Sequence, residues 1–378
     1  MTTRARRPPD RKAQIVAAAA GRFTASGYHT VAMGDIATDV GITAGALYKH
    51  FRNKQELLFR VIMDGLDAAT EICRNAANVD DLLDACAAFS LDHRDLPVLW
   101  QREARALAPE QRREVRSRMR GAGARVAALV RAERPELSEE DAELLAWAAL
   151  SVLASPSHHR VTLPAARFRR VLREMAAAVV RTRLPERDPR ACGPALGLTR
   201  SSKREMLLTR ATRLFAAHGF QAVTMEEIGA AAGMAGPSVY HHFASKKDLL
   251  VAILNRGTQV LELSMNQALA RAMSTSHALD QLLLSYTDMA VETPDIILVL
   301  TTEFANLPED RQRNAWRIQH QYIDEWARLL APTAPAEARI RVHAALAICV
   351  DVLRTRHLRA RPAIRAEVTA LGRAVLGA

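Results

Sequence analysis

The sequence predicts an all-α protein made of two tandem copies of one helical unit. Three observations carry that expectation. Ala and Leu dominate an apolar set that makes up 49 % of the 378 residues, while aromatics are only 5 %, a balance that favours helices over strands. A long segment near the N-terminus recurs past mid-chain. Within both copies, glycines interrupt short stretches of helical apolar spacing.

The repeat comes first because it sets the domain plan. Phe23–Leu58 aligns without a gap on Phe215–Leu250 at an offset of 192, with thirteen of the 36 positions identical. Two copies half a chain apart indicate a duplicated domain rather than a solenoid. Weaker echoes follow, REARALAPEQRRE (102–114) with TEFANLPEDRQRN (302–314) and WAALSVL (147–153) with HAALAIC (343–349). The stretch RTRLPERDPRACGPALGLTRSS has Pro, Gly and charge but no apolar period, so it reads as linker. The expected division is a first head at 1–70, a first helical body at 71–186 and a linker at 187–203. A second head at 204–262 and a second body at 263–378 follow.

Each head reads as three to four short helices. Ile15, Ala19 and Phe23 mark the first, matched by Leu207, Ala211, Leu214 and Phe215. Gly27 and Gly219 stand where a left-handed residue stops that helix. A second helix covers about 33–40 (225–232 in the other copy), closed by Gly41 and Gly233. Asn53-x-x-Glu56 and Ser245-x-x-Asp248 have the form of capping boxes opening a fourth. Between these, Ile36-Ala37, Val40-Gly41-Ile42 and Leu47 fit a helix-turn-helix, as do Ile228-Gly229, Ala232-Gly233-Met234 and Val239. A small residue is needed where the helices cross, glycine at the turn, and apolar side chains inward. Phe51 and Phe243 read as core.

The net charge of +11 is ambiguous alone, since 46 of the 52 cations are Arg and that bias can reflect base composition of the gene. The six lysines are more telling: Lys12, Lys49, Lys54, Lys246 and Lys247 fall in the heads and Lys203 directly before the second one. Arg4, Arg6, Arg7 and Arg11 with Lys12 suggest a basic arm reaching the backbone or minor groove of a nucleic acid. No apolar window approaches the 18 residues of a membrane span, and the basic N-terminus lacks the apolar run of a secretory signal. Cys73, Cys86, Cys192 and Cys349 are dispersed, against a disulfide framework or zinc site. A cytoplasmic protein is expected. No GxSxG, phosphate loop or HExxH is present, and His158-His159 and His241-His242 are adjacent rather than four apart. No enzyme, metal or cofactor is therefore expected.

GITAGALYKHFRNKQELL (41–58) and GMAGPSVYHHFASKKDLL (233–250) resemble the DNA-binding heads of the tetracycline-repressor (TetR) family. The resemblance is specific over 12–60 and 204–252 and loose over the bodies. It implies two fused TetR-like units, a double-stranded DNA operator as partner, and bodies that dimerise and bind a ligand. A chain with two heads resembles the fused double repressors of actinobacteria. More narrowly, it is similar to the mycobacterial repressor type of mammalian-cell-entry lipid-import operons. That implies a repressor of lipid-uptake or lipid-metabolism genes. An activator and a nonspecific architectural DNA binder are the alternatives, the second disfavoured by the two large apolar bodies.

In this geometry the third helix enters the major groove. Copy one offers Thr43, Ala44, Gly45, Tyr48, Lys49 and His50; copy two offers Ala235, Gly236, Pro237, Ser238, Tyr240, His241 and His242. By the resemblance, Tyr48 and Tyr240 contact phosphate. Lys54 and Lys246, beside a helix N-terminus, are expected on phosphate as well. Thr30 and Thr224, ahead of the second helix, complete the expected DNA-binding set. Thr224-x-x-Glu227 forms a capping box there, whereas copy one has Ala32 and only Thr30 to substitute. Thr43 can cap the first recognition helix; Ala235 cannot, and Pro237 partly compensates by fixing φ. Neither head has Arg, Asn or Gln, the side chains suited to bidentate base reading, at the groove positions. The heads differ at nearly every groove position, which predicts a non-palindromic operator with half-sites about one helical turn apart, or a multiple of it.

The last two helices of each body, 142–155 with 165–181 and 337–353 with 362–376, correspond to the family's four-helix dimer interface. They pair either within one chain as a pseudo-dimer or between chains as a homodimer. Trp100, Trp147, Tyr286, Met289, Trp316 and Tyr322 are candidate ligand residues, the plain alternative being that such aromatics fill the bundle core. The Ala/Leu/Val lining points to a small apolar ligand such as a lipid, sterol or acyl derivative.

Overall fold

The structure is a computed structural model describing residues 11–186 and 202–377. Arg4, Arg6, Arg7, Cys192 and nearly all of the expected linker lie outside the described residues. Nineteen α-helices and no strand occur among those described. The first half holds α1 (Arg11–Ser26), α2 (Met33–Asp39), α3 (Ala44–Tyr48), α4 (Lys54–Asn75) and α5 (Val79–Asp92). There follow α6 (Leu96–Arg102), α7 (Pro109–Glu133), α8 (Glu139–Ala154) and α9 (Ala165–Arg181). The second half repeats the plan with α10 (Lys203–His218), α11 (Met225–Ala231), α12 (Gly236–Tyr240), α13 (Lys246–Arg271) and α14 (Thr275–Glu292). It continues as α15 (Pro294–Thr302), α16 (Glu309–Leu330), α17 (Pro335–Arg354), α18 (Arg356–Arg359) and α19 (Ile364–Leu376). Among the described residues no helix is long and apolar enough to cross a membrane.

The chain divides into two compact units. The first joins the residues up to Asn75 with Asp92–Ala122; the second joins Ala76–Leu91 with everything from Gly123 onward. In the first unit Ile15, Phe23, Ile36, Leu47, Phe51, Leu57 and Ile62 form one core with Leu99 and Val115. Each such side chain contributes roughly 1.5–3 kcal/mol when fully withdrawn from water. The glycine stops are where the sequence places them. Gly27 and Gly219 sit at φ +82° and +83°, and Gly41 and Gly233 both at +67°. No non-glycine described residue has positive φ.

The second unit contains the second head, the second body and, from the first half, most of α5, the end of α7, α8 and α9. Helices α8 and α9 pack with α17 and α19 into a four-helix layer. Alanines on the facing sides (Ala146, Ala149, Ala344, Ala345) let the helices approach closely, and Val152, Val171, Met175, Ile348, Val368 and Leu371 fill the seam. The pairing is made inside one chain. Its charged centre is Arg361, 8 % exposed, which binds Glu367, 2 % exposed, through Nε (2.8 Å) and Nη2 (2.6 Å). Arg361 Nη2 also reaches Asp141 of α8 at 2.5 Å, so the cluster ties the first half to the second. The Arg167–Glu337 and His357–Glu143 pairs across the same seam are more exposed and contribute little each.

Candidate nucleic-acid interface

The two heads build the same platform by different local means. In copy one, Thr43 caps α3 by accepting from the Ala46 N–H at 3.2 Å. In copy two Ala235 offers no cap, and Pro237 stands in the first turn of α12. At α11 the Thr224–Glu227 box is complete: Thr224 Oγ1 accepts from Glu227 N–H (3.2 Å) and Glu227 accepts from Thr224 N–H (2.7 Å). That hydrogen bonding holds the Glu227 carboxyl below its ordinary range. At α2 only half a box exists, Asp35 accepting from Ala32 N–H at 2.8 Å. Thr30 is no substitute cap, because its hydroxyl turns back to the Ser26 and Gly27 carbonyls. The fourth helices are capped by Asn53 and Ser245, with Glu56 reaching past Asn53 to the Arg52 N–H.

The close crossing in copy two depends on a missing side chain. A Cβ on Gly229 would lie 2.7 Å from Val239 Cγ2 and 3.1 Å from the Met234 carbonyl oxygen. Copy one places Ala37 there, opposite the γ-branched Leu47. With the crossing fixed, one face of each third helix is turned to solvent. Tyr48 and Tyr240 are 51 % and 49 % exposed; Thr43, Ala44, Gly45, Lys49, His50, Pro237 and His241 are also exposed, and Gly236, Ser238 and His242 half-buried. The side chains of Tyr48, Lys49, His50, Tyr240, His241 and His242 make no hydrogen bond among the described residues, so they are available to a partner.

Lys54 and Lys246 do not belong to that face, which corrects the expectation of phosphate contact. Lys54 Nζ donates to the carbonyls of Tyr28 (2.8 Å), His29 (3.4 Å) and Val31 (2.8 Å), and lies 4.5 Å from the Tyr28 ring centre. Lys246 repeats this on Phe220 (2.8 Å), Gln221 (3.4 Å) and Val223 (2.6 Å), 4.5 Å from the Phe220 ring. An ammonium has three donors, and all three are engaged. Burial lowers the pKa of both lysines. Arg11 and Lys12 of the expected arm also fold onto the head, Arg11 donating to the Val40 carbonyl (3.2 Å) and Lys12 lying 5.4 Å from the Phe51 ring centre.

The sequence reading missed a buried carboxylate beneath each head. Glu103, 6 % exposed, accepts from the Tyr28 N–H (3.2 Å) and pairs with Arg102 (2.5 Å). Glu303, 2 % exposed, accepts from the Phe220 N–H (3.3 Å), from Thr302 Oγ1 (3.0 Å) and from Asn306 Nδ2 (2.8 Å). Each clasps the turn after the head's first helix to the segment after α6 or α15. The signal was present: Glu103 and Glu303 align in the 102–114 and 302–314 echo.

The expected ligand residues do not form one site. Trp100 packs on the first unit's core, and the other five belong to the second unit. Tyr286, Met289 and Tyr322 are core side chains, and burial raises both tyrosine pKa values above the ordinary range. Trp147 covers Gly123, while Trp316 is half-exposed beside Phe304 and His320.

Comparison with known proteins agrees with the duplication. The family described as bacterial regulatory proteins, tetR family, matches residues 15–61 and again 207–253. A tetracyclin repressor-like C-terminal domain matches 76–181. The HTH-type transcriptional activator FasR of Mycolicibacterium smegmatis is 39 % identical over 72 residues, 19 % of this chain and 33 % of FasR. The HTH-type transcriptional repressor KstR2 of Mycobacterium tuberculosis is 41 % identical over 54 residues, 14 % of this chain and 27 % of KstR2. The chain thus spans about a third or less of the length of these relatives. Among solved structures, the ketosteroid transcriptional regulator KstR2 of M. tuberculosis aligns at TM-score 0.41 and 21 % identity, covering 47 % of this chain and 95 % of that one. AibR, solved with isovaleryl coenzyme A and operator DNA, aligns at 0.36 and 20 %, covering 39 % and 86 %. The narrower likeness to mammalian-cell-entry operon repressors finds no support in these matches.

Proposed function

Because the chain belongs to the tetR family of bacterial regulatory proteins, a non-enzymatic family, we propose that it represses transcription by binding a non-palindromic operator as a single chain, one half-site per head. One observation carries the reading. The two heads share a fold, yet along the exposed third helix only the tyrosine and the following histidine are common, Tyr48 with Tyr240 and His50 with His242. Equal frames with unequal reading faces suit unlike half-sites. The pairing of α8 and α9 with α17 and α19 inside one chain supports the single-chain part, since it fills the place a second subunit would take. The division at 1–70, 71–186, 204–262 and 263–378 into heads and bodies is part of the same proposal. So is control of lipid-handling genes, expected from the sequence; the head is similar to that of KstR2, a ketosteroid transcriptional regulator.

In this reading Tyr48 and Tyr240 bind phosphate, Lys49 and His241 reach base edges, and Thr43, Ala44, Gly45, Gly236, Pro237 and Ser238 fit the groove wall. Lys49→Ala is expected to cost about 1–3 kcal/mol at one half-site and leave the other unchanged. Lys54→Ala in the same head is expected to lower Tm while leaving the salt dependence of DNA affinity as it was. Titrations of each half-site over a range of salt check both. Equal losses at the two half-sites with Lys49→Ala contradict the reading.

A further inference from the structure

The second unit has a cleft of about 220 Å³ where the second head meets its body. One wall is α10 with Leu208, Thr209, Thr212 and Arg213; α13 adds Ile253 and Arg256; the segment Glu292–Ile296 closes the other side. The repeat supplies an internal control. At the offset of 192, Thr209, Thr212, Arg213 and Arg256 correspond to Ala17, Ala20, Gly21 and Asp64. The first half therefore has the same helices with Thr209, Thr212 and Arg213 replaced by residues without polar side chains and Arg256 replaced by a residue of opposite charge.

The lining sets the ligand's chemistry. It holds two cations, Arg213 and Arg256, and two carboxylates, Glu292 and Asp295, and so favours a ligand with no net charge but both signs. Two of the four are already committed: Arg256 to Glu205 at 2.8 Å and Glu292 to Arg365 at 3.1 Å. Arg213 and Asp295 make no side-chain hydrogen bond among the described residues; partial burial raises the Asp295 carboxyl above its usual range, and the charges of Arg213 and Arg359 nearby partly offset that rise. The Thr209 and Thr212 hydroxyls donate to helix carbonyls and keep acceptor capacity. Leu208, Ile253, Pro294 and Ile296 form the apolar part of the lining and suit an aliphatic remainder.

We propose that this cleft binds a small aliphatic amino acid, its carboxylate on Arg213 and its ammonium on Asp295, at one site per chain. The ligand bridges α10 of the second head and α15 of its body, and so bears on that head's orientation. This regulatory consequence rests on the proposed function; the binding itself does not.

Calorimetry on the full chain tests it with three matched probes: L-leucine, 4-methylpentanoate, which lacks the ammonium, and 3-methylbutylamine, which lacks the carboxylate. Leucine is expected to bind saturably at one per chain, with each half-probe weaker by about tenfold or more, the worth of one charge-assisted hydrogen bond. Arg213→Gly, the residue of the first half, is expected to weaken leucine by about tenfold or more, and Asp295→Asn to bring it down to the level of 4-methylpentanoate. No leucine heat, two sites per chain, or equal binding of leucine and 4-methylpentanoate overturns the proposal. A chain that protects operator DNA but ignores leucine fails only here. One that binds leucine but protects no DNA fails only as a regulator.

Discussion

Replacing Arg361 by alanine is expected to destabilise the second unit by about 3–5 kcal/mol, because it strands the Glu367 carboxylate in a site 2 % exposed. Glu367 accepts two hydrogen bonds from Arg361, and the cluster's third member, Asp141, comes from the other half of the chain. The substitution therefore loosens the seam between α8 and α19 as well as the local pair. Among the described residues Arg361 Nη1 has no hydrogen-bond partner, so the ion pair does not recover all of its desolvation cost. Replacing the pair together, Arg361→Met with Glu367→Leu, is accordingly expected to cost less than Arg361→Ala alone. Urea unfolding of the three chains decides it. A loss below about 1 kcal/mol for Arg361→Ala, the range of exposed pairs, contradicts the buried-cluster account.

Gly229→Ala is expected to weaken the second half-site while leaving the first untouched. The added Cβ meets a β-branched side chain and a backbone oxygen, an overpacking worth about 1–3 kcal/mol. It pushes α11 from α12 and tilts Tyr240 and His241 off the face they share. Copy one carries the cure, because it pairs Ala37 with Leu47. Adding Val239→Leu to Gly229→Ala recreates that pair and is expected to recover most of the lost affinity. Half-site titration of the single and double variants is the check. A double variant no better than the single one would show that the clash with Met234 O, not Val239, governs the crossing.

Local rules made much of the heads legible. The left-handed glycines, the Thr43 cap, the Thr224–Glu227 box and the small residue at the crossing all depend on neighbours within a few positions, which a sequence displays. Lys54 and Lys246 were misread because a lysine at a helix start looks the same whether it reaches outward or folds back. The carbonyls and ring that capture it lie 23 to 26 residues upstream. Glu103 and Glu303 stayed hidden because a carboxylate between helices ordinarily faces water; only their recurrence marked them. The aromatics of the bodies gave no address, since one aromatic of α16 is core (Tyr322) and another is surface (Trp316). Of the two pairings the sequence allowed for α8 and α9, within the chain or between chains, periodicity could not choose, because the choice is long-range packing.

In the proposed mode of binding, one chain with two unlike heads replaces two identical subunits. Footprinting on DNA flanking the protein's own gene, with the mass of the complex measured on the same fragment, tests it most directly. The account predicts two dissimilar protected half-sites, about one helical turn or a multiple apart, and a mass of one chain per duplex. A perfect palindrome bound by two chains would contradict it.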